Sequence, residues 1–276
     1  MLSSFSLNTA DSVVRFLQIT DPHLFKEENS DLLGINTLES FKQVLTEILQ
    51  QDFPYEFVLA TGDIVQDSSD EAYQRFVQLV QCLEKTVFWI PGNHDFQPKM
   101  FDYLTGQYGN INPNKHILAG EHWQILMLDS QVFGVPHGQL SQYQLDWLVA
   151  KLKEYPNRYS LVVLHHHILP THSSWLDQHN LRNLHDLMEA LSPFEKVKGI
   201  LHGHIHQQVD DYWHGYKVMS TPSTCIQFKP DCHQFTLDNL QPGWREIELH
   251  ADGNIYTQVK RIQQKTFLPN FKEEGY

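Results

Sequence analysis

Thiols are scarce in this sequence of 276 residues, whose only cysteines are Cys82, Cys225 and Cys232. Three are too few and too scattered for a disulfide framework. Cys225 and Cys232, seven positions apart, also lack the C-x-x-C spacing of a thiolate zinc site. Reduced thiols in a cytoplasmic protein are the expectation. Positive charge is short as well: 20 Lys and Arg stand against 33 Asp and Glu, a formal net charge of −13. That balance argues against a nucleic-acid partner, whose phosphates call for a basic face. No window nears 18 uninterrupted apolar residues, so neither a transmembrane helix nor a membrane partner is expected. The opening MLSSFSLNTADSVVRF has no basic stretch followed by a long apolar one, and no secretory signal is expected. Histidine, in contrast, is abundant, with 17 copies, several in tight clusters.

Hydrophobic residues make up 41% of the chain and charged residues 19%, an ordinary globular mixture with material for a sizeable core. Short apolar, β-branched runs at 13–19, 57–60, 86–90, 125–128, 161–164 and 198–201 have the length and texture of buried strands. Between them lie helical patterns: TLESFKQVLTEILQ, SDEAYQRFVQLVQCL and LSQYQLDWLVAKL, the last with Ser141 and Gln144 at capping-box spacing. Strand–helix alternation of this kind predicts an α/β domain. Beyond His206 the texture becomes β-rich, with YKVMSTPSTCIQF, WREIELHADG and IYTQVKRI as strands joined by Pro/Gly turns. We expect one domain over residues 1–276, with a motif-bearing part at 13–210, a β-rich part at 211–265 and a frayed tail at 267–276. A monomer is the default expectation.

The residues following the strands carry the chemistry. After the first run comes TDPH, with Asp21 and His23; after the second, TGD, with Asp63; after the third, PGNHD, with Asn93, His94 and Asp95. The run at 161–164 leads into His165, His166 and His167, and that at 198–201 into HGHIH, with His202, His204 and His206. In open α/β sheets sites assemble outside the carboxyl ends of the strands, so these residues are expected to converge. Carboxylate, imidazole and amide oxygen form the ligand set of a hard or borderline divalent cation. Six or seven such groups exceed the needs of one ion and suit two, with one carboxylate bridging. Two divalent ions against Asp21, Asp63 and one hydroxide leave roughly one positive charge, so the site suits a phosphate ester despite the acidic chain. Imidazole, carboxylate and water admit Fe, Mn, Zn or Co.

The words DPH, GD, GNHD, a histidine cluster and GHIH, in this order over residues 21–206, resemble the five blocks of the calcineurin-like metallophosphoesterase superfamily. The flanking words LQITDPHLF, PGNHDFQP, LDSQVFGVPHG, SWLDQH, TPSTCIQFKP and IELHADG are similar to those of bacterial class III 3′,5′-cyclic-nucleotide phosphodiesterases, and make the resemblance nearly full length. The resemblance implies a β-sandwich flanked by helices, four layers α/β/β/α, with metals at the C-terminal strand ends. It implies a cytoplasmic hydrolase that opens 3′,5′-cyclic AMP to 5′-AMP with a metal-bridging hydroxide, its metals Fe and/or Mn, with Zn or Co as alternatives. One metal would be bound by Asp21, His23 and His206 and the second by Asn93, His165 and His204, with Asp63 bridging. His94 would act on the substrate and Asp95 would orient it, while His23, Asn93, His94 and His206 would contact the phosphate. Ile168 follows the histidine cluster where relatives often have proline, which leaves His165 and His166 both open as the ligand, with His165 preferred as first off the strand.

Two other readings stand beside this one. One is a dinuclear phosphodiesterase for another small diester. The other is a scaffold that has lost catalysis, against which every block is intact. His116, His122, His172, His179, His185, His214, His233 and His250 are expected to be surface or loop residues, and Asp129 structural. Trp89, Trp123, Trp147 and Trp213 are expected in the core or at its rim.

Overall fold

A computed structural model of the chain describes residues 4–9, 12–105, 109–273 and 275. The expected strands pair into two sheets. Across the first, neighbouring strands are Ile255–Arg261, Gly243–His250, Val13–Ile19, Phe57–Ala60, Thr86–Trp89 and Ile111–Asn112. Across the second they are Phe5–Leu7, His116–Ala119, Trp123–Met127, Tyr159–Val163, Val197–His202, Tyr216–Ser220 and Val209–Trp213. Strands Val13–Ile19, Phe57–Ala60 and Thr86–Trp89 run parallel, as do Trp123–Met127, Tyr159–Val163 and Val197–His202.

Alternation along each strand divides its side chains between two cores, because successive residues face opposite sides of a sheet. Phe16, Phe57, Leu59 and Phe88 meet Ile125, Met127, Leu161, Val163 and Leu201 between the sheets. Leu17, Ile19, Val58 and Val87 face outward onto Phe41, Val44 and Ile48 of helix Thr37–Gln50 and Tyr73, Phe76 and Val80 of helix Asp70–Val80. On the far side Leu126, Val162, Ile200 and Val218 pack on Leu145, Leu148 and Leu152 of helix Gln142–Glu154 and on Leu187 and Leu191 of helix Leu184–Leu191. The result is the four-layer α/β/β/α arrangement that the family resemblance implies. Among the described residues no helix is long and apolar enough to cross a membrane.

Several details differ from expectation. Ser141 caps its helix by accepting from the Gln144 N–H at 3.2 Å, but the Gln144 side chain turns away and accepts from the Asp129 N–H at 3.2 Å. Only half of the capping box forms, because a buried backbone donor elsewhere claims the amide. Strands Phe5–Leu7, His116–Ala119 and Val209–Trp213 were not foreseen. The run YKVMSTPSTCIQF is strand only through Ser220, after which the chain is loop. His116 is not a surface residue: it is buried, with its ring nitrogens 2.7 Å from Ser4 Oγ and 2.9 Å from Gln124 Oε1. In the expected tail, Phe267 packs against two apolar clusters and the Asn270 N–H donates to Leu33 O at 2.7 Å, while residues 274 and 276 lie outside the described residues.

Candidate metal centre

The carboxyl ends of five parallel strands, three from the first sheet and two from the second, open at one edge of the sandwich. Backbone bonds tie their following loops together there. The Asp21 N–H donates to Gly62 O at 3.1 Å, the His23 N–H to Asp63 O at 3.0 Å and the Gly203 N–H to His165 O at 3.1 Å. Beneath them Gln18 Nε2 joins the sheets, donating to Thr61 Oγ1 at 2.8 Å and His202 O at 3.0 Å. Five residues of these loops adopt the left-handed region that side chains disfavour: Asp21 (φ 53°), His23 (47°), Asp63 (47°), His204 (70°) and His206 (52°). Such outliers persist only where the surroundings over-determine them, and they concentrate at functional sites. Gly92 is required for a different reason: a Cβ there would fall on Asp63 Oδ1 and on the Asp63 backbone nitrogen.

Three groups of potential ligand atoms converge: Asp21, His23 and His206; His23, Asp63 and His94; and Asp63, His165 and His204, each within 4.8 Å of one another. Fixed oxygens settle the imidazole tautomers. His23 Nδ1 lies 2.6 Å from Gln66 Oε1, His165 Nδ1 2.7 Å from Thr61 O and His206 Nδ1 3.0 Å from Ile226 O. Each Nδ1 therefore carries the proton, and each Nε2 presents a lone pair. These Nε2 atoms lie close to one another and to carboxylate and amide oxygens. His23 Nε2 and His206 Nε2 are 3.1 Å apart, and His165 Nε2 lies 3.2 Å from Asp63 Oδ2 and 3.3 Å from Asn93 Oδ1. Asp21 Oδ1 and His204 Nε2, both buried, have no hydrogen-bond partner among the described residues. Buried carboxylate and imidazole atoms brought this close are costly unless protons or cations complete them. The residues fit two divalent ions of the imidazole- and oxygen-loving kind.

The charges agree. Burial pushes the His23 imidazole down to about 3, keeping it neutral, the form that can ligate a cation. Burial also opposes charge on His165, but the Asp63 carboxylate beside it, with its hydrogen bond, outweighs burial and raises the imidazole to about 9, so without a cation a proton on Nε2 takes the place beside Asp63 that a cation would fill. Burial favours the neutral carboxyl at Asp21, yet His206 holds it below the usual range, and His165 does the same for Asp63 more strongly. The anionic pair thus draws positive charge to this edge.

The structure brings His165 rather than His166 to Asp63. His166 Nδ1 instead lies 2.8 Å from Ser130 Oγ, and His167 Nε2 faces Asp177 at 3.7 Å. His94 donates its N–H to Asp63 Oδ1 at 2.8 Å, and its ring sits edge-on to His23 at 5.0 Å. Asp95 departs from expectation. Its carboxylate accepts the N–H groups of Gly92 (2.9 Å), Ile64 (3.2 Å) and Val65 (3.3 Å) and the Tyr73 hydroxyl (3.2 Å), so it braces two loops and does not orient the His94 imidazole. Gln131 completes the brace, its Nε2 donating to Gly92 O and Asp95 O at 2.6 Å each. His179, expected on the surface, lies 6.2 Å ring to ring from His204. Neither Gln66, Gln131 nor His179 carries a local sequence signal for these positions, which come from loop packing.

Metal binding to this cluster should show as stability. Adding Mn²⁺ to metal-stripped protein at about a hundred times its Kd is expected to add about 2.7 kcal/mol, a Tm rise of roughly 5–10 °C. Ca²⁺, which prefers all-oxygen sites, should give a much smaller shift. Equal shifts with both ions in a melting experiment would show that the imidazoles are not ligands.

Comparison with known proteins bears on the same edge. The family described as calcineurin-like phosphoesterase matches residues 14–208. A 3′,5′-cyclic adenosine monophosphate phosphodiesterase, CpdA, of Haemophilus influenzae is 63% identical over 276 residues, the whole of both chains. Its namesake from Escherichia coli K12 is 51% identical over 263 residues, 95% of each chain. Among solved structures, a dimetal phosphatase from Danio rerio superposes with a TM-score of 0.61 at 15% identity, covering 90% of this chain and 99% of its own.

Proposed function

The chain belongs to the calcineurin-like phosphoesterase family, and we propose that it hydrolyses the cyclic phosphodiester of 3′,5′-cyclic AMP to 5′-AMP at a two-metal centre. It is a metal-dependent phosphodiesterase, a hydrolase of phosphoric diesters. The observation that carries the chemistry is the convergence of ligand atoms of Asp21, His23, Asp63, His94, His165, His204 and His206 in three groups, each within 4.8 Å, with Asp21 Oδ1 and His204 Nε2 buried and unpartnered among the described residues. The substrate reading is supported by the full-length relatives whose names carry that activity. We assign one cation to Asp21, His23 and His206 and the other to Asn93, His165 and His204, with Asp63 between them. Iron and manganese suit these ligands best, with zinc or cobalt as alternatives. The enzyme acts in the cytoplasm as a monomer.

When bound, two divalent ions neutralise the phosphate and make water a competent nucleophile at neutral pH. The chain's own groups do the rest. Gln66, Thr61 and the Ile226 carbonyl lock three imidazoles in one tautomer, so no reorganisation is needed during the reaction. His23, Asn93, His94 and His206 line the position of the phosphate. Water oxygen joins phosphorus as the bond to the ribose 3′ oxygen breaks, and His94, the half-buried member of the set, passes a proton to that departing oxygen. Asp63 fixes His94 through its backbone N–H.

The test is a product assay with cyclic AMP and Mn²⁺ or Fe²⁺, the nucleotides separated and identified. The expected product is 5′-AMP, abolished by a chelator. Asn93→Ala should fall beyond the roughly 10–100-fold that groups merely supporting a metal ligand cost. Intact cyclic AMP, or 3′-AMP as the product, would refute the assignment.

A further inference from the structure

A cavity of about 500 Å³ opens directly off the centre, sharing Asn93, His94 and His204 with it. Its remaining wall is of another character: Trp175 and Phe235, whose rings meet from two loops, and Val135 and Pro136 from a third, with His179 between Trp175 and His204. The wall is held rigidly. Trp175 is edge-on to Phe228 and to Phe235, at 5.0 Å in each case, and Phe228 stacks on His206 at 4.4 Å with an interplanar angle of 12°. Trp175 is nevertheless only partly buried, so ring surface is left facing the cavity.

None of this serves phosphoester cleavage itself. A phosphodiester and a ribose are polar, and only the base of a cyclic nucleotide offers a flat π face to an aromatic wall. The volume also falls within the range of small-molecule sites. Resting on the function proposed above, we infer that this cavity is the nucleobase site and that Trp175 is its specificity-determining residue. The base stacks on the Trp175 ring while the cyclic phosphate lies among Asn93, His94 and His204. The aromatic wall thereby converts affinity for a base into placement of the phosphate, which a diester lacking a base cannot share.

Two measurements test this. In the wild-type enzyme, 5′-AMP should inhibit at least about tenfold more tightly than ribose 5-phosphate, since the two differ only in the stacking base. Equal inhibition constants would overturn the inference without any variant being made. In the second, kcat/KM is measured for cyclic AMP and for its base-free analogue, methyl riboside 3′,5′-cyclic phosphate, in Trp175→Leu, which keeps apolar bulk, and Trp175→Phe, which keeps an aromatic face, with the aryl diester bis(p-nitrophenyl) phosphate as a separate check on the metal chemistry. The ratio of the two kcat/KM values should fall about tenfold in the leucine variant, mainly through KM for cyclic AMP, and stay within about threefold in the phenylalanine variant. A ratio unmoved by leucine overturns the nucleobase site alone. Wild-type protein that cleaves the aryl diester and leaves cyclic AMP intact overturns the proposed function, and this site with it.

Discussion

Asp63→Asn is expected to cut hydrolysis of cyclic AMP more than about a hundredfold while the protein stays folded. The expected loss exceeds what a group merely supporting a ligand costs. Asp63, like His23, belongs to two of the three ligand groups, and it is the one carboxylate that does, with Oδ2 3.2 Å from His165 Nε2 and 3.9 Å from His23 Nε2. Asparagine keeps its shape, and the amide oxygen can still accept the His94 N–H that the carboxylate accepts at 2.8 Å. What goes is the charge, together with one acceptor. The new NH₂ can donate to the lone pair on His165, filling by hydrogen bond the place that a cation would take. The metal-free variant should nevertheless melt below the metal-free parent while remaining folded, because the Asp63 carboxylate, held well below its usual range by His165, is a net stabilising charge there. Its Tm should no longer respond to Mn²⁺, and metal analysis should find less than the full complement. Activity within tenfold of the parent would remove Asp63 from the centre.

Asp95→Ala should lower stability by at least about 3–4 kcal/mol, because it strands buried donors that each cost about 1–3 kcal/mol when unpaired. Those donors are the N–H groups of Ile64, Val65 and Gly92 and the hydroxyl of Tyr73, all held by one carboxylate. The Tm should fall by roughly 10 °C. Turnover should fall too, since Gly92 and Ile64 flank Asn93 and Asp63 and both loops lose their tie. His94→Ala is the control. If Asp95 served to orient the His94 imidazole, as its position in GNHD suggested, the two alanine variants would lose activity alike and neither would lose much stability. The hydrogen bonds predict a split: a large stability cost at Asp95 and little at His94. Matched melting curves for the two variants would restore the orienting role.

The sequence by itself determined which residues stand at strand ends. A strand must bury its apolar run, so its boundaries are written locally, and TDPH, TGD, PGNHD, HHH and HGHIH can be placed at the ends of 13–19, 57–60, 86–90, 161–164 and 198–201 without coordinates. Short apolar runs alternating with period-3.6 helical patterns similarly give an α/β domain, whereas the four-layer order comes from the family resemblance. These short runs also sufficed to mark the family, because the order of the blocks is a linear property.

What only the tertiary structure decided is everything that depends on direction across a loop. Whether His165 or His166 meets Asp63 is set by Ser130 and Thr61, which lie 36 and 104 positions away in the chain and each claim one ring nitrogen. The work of Asp95 depends on two loops and a helix hydroxyl that converge on it. His116 changes from a surface residue to a buried one because an unforeseen strand pairs beside Gln124. Trp175 and His179 reach the centre on a long loop with no periodicity to read. Local sequence encodes burial and period, whereas a hydrogen bond between distant loops is chosen by the packing of the whole sandwich and has no local signature.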